Sequence, residues 1–340
     1  MKKVLGLMAL FMLGSGLFAG EKTPKIEVNW RLDAVKNDTD DKTKTYGTGE
    51  GFKFQIPYIR FGVKGVFDES LSYRARFRLN KTLAKGTNGD ETGQGLDYAY
   101  VDKKINGDLK LRIGKQALYH GGWEAAISSK EEYSFSANSF SYYAVGVAAF
   151  YQIAAQNLIF QVLNNGNDSK NQSTPLYGVS WSSVFFNGVI NPIATYHIDP
   201  FENSAAGEVK GENTYLAFGN RLKVKDFTFD FDYQINKADK TTVTGKALKN
   251  KGYVARMAYQ WGLWRPQIKY SRIATKGKIQ GSTAGLGDDI DYHIALEYYP
   301  HGKANFRYHL AYIASKFEFE GNTGTDTRDT AIKLGMAGNF

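Results

Sequence analysis

From Lys25 to Phe340 the chain alternates apolar and polar residues with a period of two, in segments of about 10 to 14 residues separated by turn residues. Leu71, Tyr73, Ala75, Phe77 and Leu79 interleave with Ser72, Arg74, Arg76, Arg78 and Asn80. The same apolar spacing returns in Phe227, Phe229, Phe231, Tyr233 and Ile235, and in Phe306, Tyr308, Leu310 and Tyr312. A period of two is the side-chain repeat of a β-strand, so each segment presents one apolar and one polar face. A fold made of helices or of parallel strands does not carry this pattern from end to end.

About sixteen such segments can be marked: 25–35, 52–65, 69–82, 95–105, 108–118, 142–153, 156–164, 176–186, 188–198, 212–225, 227–238, 250–261, 263–276, 288–300, 303–315 and 328–340. The face assignment is ambiguous in the fourth and ninth. Connections alternate in length. Even-numbered segments end in tight turns such as Asn106-Gly107, Ala154-Ala155 and His301-Gly302, whereas odd-numbered ones run into longer polar stretches such as 36–51, 83–94, 119–141 and 199–211. Transmembrane barrels sort their loops in this way, with tight periplasmic hairpins and long external loops. A soluble β-sandwich has no cause to do so. In a bilayer every backbone N–H and C=O needs a partner, and a closed barrel supplies one without leaving an edge. The expected fold is therefore all-β, a transmembrane antiparallel β-barrel of about sixteen strands with a water-filled lumen. Aromatics at segment ends, among them Trp30, Trp181, Trp261, Trp264, Tyr298 and Tyr299, are expected to form its interfacial girdles.

The beginning of the chain is of a different kind. Lys2 and Lys3 precede an apolar run from Val4 to Leu13 and a small-residue exit at Gly14, Ser15, Gly16, Ala19 and Gly20. This is the pattern of a signal peptide, and residues 1–20 are expected to be cleaved on export, leaving 21–340 as one barrel domain. The chain has no cysteine, which excludes a disulfide scaffold or a thiol enzyme. Its 22 Tyr and 22 Phe exclude a disordered polar chain.

If the apolar faces meet lipid, the opposite faces line the lumen. Their basic residues are Lys25, Arg31, Arg60, Arg74, Arg76, Arg78, Lys110, Arg112, Arg221, Lys223, Arg256, Arg265, Lys269, Arg307 and Lys333. The acids of the same parity are fewer: Glu27, Asp33, Asp230, Asp232, Asp291 and Glu297. Arg74, Arg76 and Arg78 share one strand face at about 6.7 Å spacing. Each neighbouring pair repels by about 0.6 kcal/mol even at the dielectric of water. A ladder of this kind needs counter-charge, from permeating anions or from wall carboxylates, and arginine stays charged and forks onto carboxylate or phosphate oxygens. Arg60, Arg74, Arg76, Arg78, Lys110, Arg112, Arg221, Arg256, Arg265, Lys269 and Arg307 are the candidate anion-guiding residues.

Connection 119–141 is the longest, and its aromatic and small residues suit folding back against the wall or an external position alike. Trp123, Glu124 and Lys130 are its candidate constriction residues. The five histidines show no metal-ligand spacing, and no nucleophile motif or P-loop occurs, so neither cofactor nor metal is expected. The net charge of +9 does not point to nucleic acid, because basic residues that alternate with lipid-type ones are hidden inside a barrel.

Short blocks along the chain carry a resemblance: Tyr58-Ile59-Arg60-Phe61-Gly62-Val63-Lys64-Gly65 with the Arg-alternating Leu71–Asn80, Leu111-Arg112-Ile113-Gly114-Lys115-Gln116 running into Gly122-Trp123-Glu124, Val162-Leu163-Asn164-Asn165-Gly166, and Leu296-Glu297-Tyr298-Tyr299-Pro300. In these the chain resembles the phosphate-selective porin O and P family of Gram-negative outer membranes. The resemblance implies a trimeric sixteen-stranded porin whose arginine ladder leads to a narrow anion site. Here Lys130 is followed at once by Glu131 and Glu132, a departure from a purely basic constriction. The expectation is a passive, anion-preferring diffusion channel, not an enzyme, in contact with outer-membrane lipid, the barrel-assembly machinery through the terminal Phe340, and two further copies of itself. The alternatives are a non-conducting structural or adhesive barrel and an outer-membrane barrel hydrolase.

Overall fold

The computed structural model describes residues 23–39, 51–81, 95–126, 143–164, 175–203, 209–238, 248–277, 287–302, 305–319 and 326–339. Within them the alternating segments are strands: β1 (Lys25–Thr39), β2 (Gly51–Val66), β3 (Leu71–Arg78), β4 (Leu96–Lys104), β5 (Leu109–Ala117), β6 (Tyr143–Ile153), β7 (Gln156–Leu163) and β8 (Leu176–Ser183). The second half continues with β9 (Ile190–Asn203), β10 (Val209–Val224), β11 (Phe227–Ala238), β12 (Leu248–Tyr259), β13 (Trp264–Gly277), β14 (Gly287–Tyr298), β15 (Phe306–Phe319) and β16 (Thr327–Asn339). A one-turn helix, α1 (Trp123–Ala126), follows β5. Each strand pairs antiparallel with the next, and β1 pairs with β16 from Asn29↔Asn339 to Thr39↔Asp329, which closes the barrel.

The distribution of polarity is the reverse of a soluble core. Phe54 is 74% exposed, Ile113 63% and Leu334 60%, while Asp33, Gln234, Ser271 and Glu297 are fully buried. Only a hydrocarbon surrounding makes such an exterior favourable, at roughly 25 cal/mol per Å² of apolar surface taken from water. Trp264 and Tyr298 (ring centroids 4.6 Å), Tyr298 and Tyr308, and Trp30 and Phe306 form part of an aromatic belt near the tight-turn end. Tyr299 departs from the girdle expectation. It follows Tyr298 by one residue and so faces inward, where its hydroxyl donates to Glu297 at 2.6 Å.

The connections alternate between short and long except at 204–208, which is shorter than the 184–189 turn before it, and at 299–305 and 320–326, which are equal in length, and their details follow local chemistry. Asp68 closes the β2–β3 turn by accepting from the Ser70 hydroxyl (2.8 Å) and the Ser70 and Leu71 amides (2.7 and 2.8 Å), and these bonds, the hydroxyl first, hold its carboxyl below the usual range. Between β8 and β9 the chain turns through Phe186 and Asn187 with φ of 51° and 55°, the left-handed pair of a type I′ turn. The expected long connection 199–211 is a correction: β9 reaches Asn203 and β10 begins at Val209, because backbone pairing continues beyond the point where polar side chains give a loop-like sequence.

Candidate pore and constriction

Register places the expected ladder on one lumenal wall. Arg60 lies opposite Arg78, Gly62 opposite Arg76 and Lys64 opposite Arg74, so β2 and β3 bring these bases to the same face. The repulsion is relieved by carboxylates rather than by spacing. Asp97 of β4 meets Arg76 at 2.9 Å, Arg78 at 3.0 Å and Arg60 at 3.5 Å. Glu27 of β1 takes Arg74 at 2.8 Å together with Lys64. Rings complete the seat: the Arg76 guanidinium lies 4.4 Å from the Tyr98 ring centre and donates to the Tyr143 hydroxyl at 2.8 Å.

Asp97 and Asp102 escape the parity reading of the sequence. Arg76 pairs with Tyr98 but Phe77 pairs with Leu96, so Asp97 is the extra residue of a β-bulge. Bulges re-aim a side chain, and this one turns a carboxylate into the centre of three arginines. Asp102 lies opposite Arg112, accepting from its Nε at 2.7 Å and its Nη2 at 2.9 Å, and also from Lys110 at 3.2 Å.

The other candidates occupy the wall from β10 to β15. Arg221 forks onto Asp230 at 2.6 and 2.9 Å, and Arg256 reaches the same carboxylate at 3.1 Å. Arg265 and Arg307 approach Glu297 at 3.5 and 3.1 Å. Lys269 pairs with Glu124 of α1. In most of these pairs the base is the more exposed member: 20% for Arg78 against 2% for Asp97, 33% for Lys110 against 13% for Asp102, 22% for Arg221 against 5% for Asp230.

The segment after β5 folds into the lumen. Gln161 of β7 receives the Tyr119 amide (2.8 Å), Thr195 of β9 donates to the Gly121 carbonyl (3.2 Å), and His120 packs against His197 and Tyr215. Asp232 of β11 then accepts the Trp123 and Glu124 amides at 2.8 and 2.7 Å, satisfying two unpaired N–H groups at the start of α1. The Trp123 indole donates to the Asn191 carbonyl at 2.7 Å, and the Arg221 guanidinium lies 4.0 Å from the Trp123 ring centre. In chain order the segment touches β7, β9, β10 and β11 and, through Glu124, β13, so it lies against this stretch of the inner wall and narrows the lumen from that side. Gly122 and Gly219 make this possible, since a Cβ on either would come within 2.2 Å of an Asp232 carboxylate oxygen.

Trp123 and Glu124 are thus at the inward segment, while Lys130, Phe340 and the leader 1–20 lie outside the described residues.

A closed sixteen-stranded barrel with an apolar exterior, a charged lumen and an inward-folded segment is a porin of the outer membrane. Residues 26–195, half of the chain, match the family model for phosphate-selective porin O and P. The chain belongs to that family. No curated protein sequence matches it. Among solved structures, the outer-membrane channel DcaP of Acinetobacter baumannii is similar at TM-score 0.74 and 13% identity, over 95% of this chain and 100% of that one. An anion-selective porin from Comamonas acidovorans is similar at TM-score 0.67 and 9% identity, over 94% and 99%. OmpT of Vibrio cholerae is similar at TM-score 0.61 and 11% identity, over 94% and 98%. At these identities the likeness is one of fold.

Proposed function

We propose that this porin is an anion-preferring passive diffusion channel for small solutes such as phosphate. The supporting observation is the ratio of charges at five of the wall carboxylates. Asp97 is shared by three bases, and Glu27, Asp102, Asp230 and Glu297 by two each. Each of these clusters keeps net positive charge, and in nine of their eleven pairs the acid lies deeper than the base. A solute in the lumen meets the cations first, and the resulting field raises the local concentration of anions while leaving them free to depart. The anion selectivity named for the Comamonas porin supports the same preference here.

The same reading holds that residues 1–20 are removed on export, that residues 21–340 form the whole barrel domain, that Phe340 is read by the assembly machinery, and that three copies associate in the membrane. Transport is by diffusion, with no catalysis.

The test is electrical. Changing Arg74, Arg76 and Arg78 together to Gln removes three fixed charges while keeping hydrogen-bonding side chains of similar reach. Reversal potentials of the purified channel in a KCl gradient are expected to move from anion-selective toward neutral, most strongly in dilute salt, since fields are screened within about 10 Å at 0.1 M. Preference for K⁺ over Cl⁻ in the unmutated channel would overturn the reading. Absence of conductance would favour the structural barrel.

A further inference from the structure

On the outside of the barrel, at the end carrying the long connections, three lysines stand in one row across three strands. Lys237 of β11 is the register partner of Lys249 of β12, and Lys249 is the register partner of Lys276 of β13. Lys251 lies two residues along on the same face, opposite Ile235 and Ala274. The parity is that of the lipid-facing Phe231, Tyr233, Met257 and Ile268, so the row belongs to the exterior, apart from the lumenal clusters. Like charges placed directly opposite on antiparallel strands destabilise the pairing. Among the described residues no carboxylate forms an ion pair with any of the four. Two outward acids lie diagonal to the row: Glu212, two residues from Thr214, the register partner of Lys237, accepts from the Thr214 hydroxyl at 3.4 Å, and Asp288 is held by Arg272 (Nε at 2.8 Å).

Below the row lies an aromatic belt. Tyr270 packs against Tyr253 and Tyr292, with ring centroids 5.8 and 5.1 Å apart, and Tyr233 points outward beside them. Such belts mark the boundary between hydrocarbon and headgroups. Lys237 follows Tyr233 by four residues, about 13 Å along the strand, or about 10 Å in height at the usual tilt. That is the level at which phosphate groups of a lipid sit.

We propose that the outer face of β11–β13 binds the phosphorylated headgroup of an outer-leaflet lipid, with Lys237, Lys249, Lys251 and Lys276 as its cationic seat and the tyrosines beneath it against the acyl chains. The inference rests on the outer-membrane reading with long connections outside, but not on anion preference in the lumen. A phosphate bridging the row supplies the counter-charge that the wall itself does not.

The experiment uses the purified full barrel in detergent, titrated with bisphosphorylated lipid A, its monophosphoryl form and a phosphate-free glycolipid of equal chain number, with bound lipid read by native mass spectrometry. The unmutated protein is expected to bind in that order of decreasing affinity. Changing all four lysines to Gln is expected to weaken binding of the bisphosphorylated form by about 10-fold or more, and changing all four to Arg is expected to preserve it. Unchanged reversal potential and heat-resistant migration of both variants establish that the barrel and its lumen are intact, and keep this result separate from the channel test. Equal binding by the Gln variant, equal loss in the Arg variant, or equal affinity for the phosphate-free lipid would overturn the proposal. So would full displacement by inorganic phosphate at matching phosphate concentration, which would mark a site for the free ion.

Discussion

Asp97 holds guanidinium groups from two strands, and its worth is best judged by what its removal leaves behind. Asn at this position keeps the volume and one acceptor but deletes the charge shared by Arg60, Arg76 and Arg78. The three cations then repel one another at short range, against the ring and hydroxyl contacts to Tyr58, Tyr98 and Tyr143 that remain. Asp97→Asn is expected to increase the anion-to-cation permeability ratio in dilute salt and to destabilise the barrel by about 1 to 3 kcal/mol, read as a lower temperature for loss of the compact band on electrophoresis. An unchanged permeability ratio would show that the arginine fan contributes nothing to the field in the pore. The arginines themselves are legible in the sequence because β3 alternates without interruption. Asp97 is not, since a single inserted residue reverses the parity of its neighbours and strand β4 carries tyrosines on the lumenal face where a reader expects charge.

The segment from Leu118 to Ala126 shows the same limit one level up. Its composition suits a fold-back, yet its anchor lies in another element, at Asp232, more than a hundred positions further on. The only local trace is glycine: Gly122 within the segment and Gly219 directly opposite Asp232 on β10, both leaving room for the carboxylate. Glycine inside a strand signals close approach of another backbone, but not which one. Asp232→Ala would leave the Trp123 and Glu124 amides without their acceptor. Single-channel conductance is expected to rise as the segment loses its fixed position, with little change in the heat resistance of the wall. A conductance equal to that of the unmutated channel would mean that Glu124 with Lys269 and the Trp123 indole with Asn191 hold the segment unaided. The strands, by contrast, are legible in number and order, with ends of β1, β3, β9 and β15 displaced by four or five residues, because lipid on one side and water on the other impose the period of two along them.

For the molecule as a whole, the alternation of connections fixes an orientation that labelling can test, and the lack of native cysteine makes the background clean. A 5 kDa maleimide-polyethylene glycol added to intact cells, too large for any porin lumen, is expected to modify Lys278→Cys in a long connection and to spare His301→Cys in the tight turn after β14. Reversed labelling would invert the barrel in the membrane. The seam between β1 and β16 carries a further consequence, one of timing. Its partners lie far apart in the chain, so among the described residues it is the most non-local pairing, and contacts of high sequence separation form slowly. Every other hairpin can form as its two strands become available, but the ring cannot close until the last thirteen-residue strand has been delivered. A chain ending early, through a nonsense codon or a stalled export complex, is therefore expected to be a proteolysis substrate rather than a smaller channel, and the final strand decides whether the preceding synthesis yields a membrane protein at all.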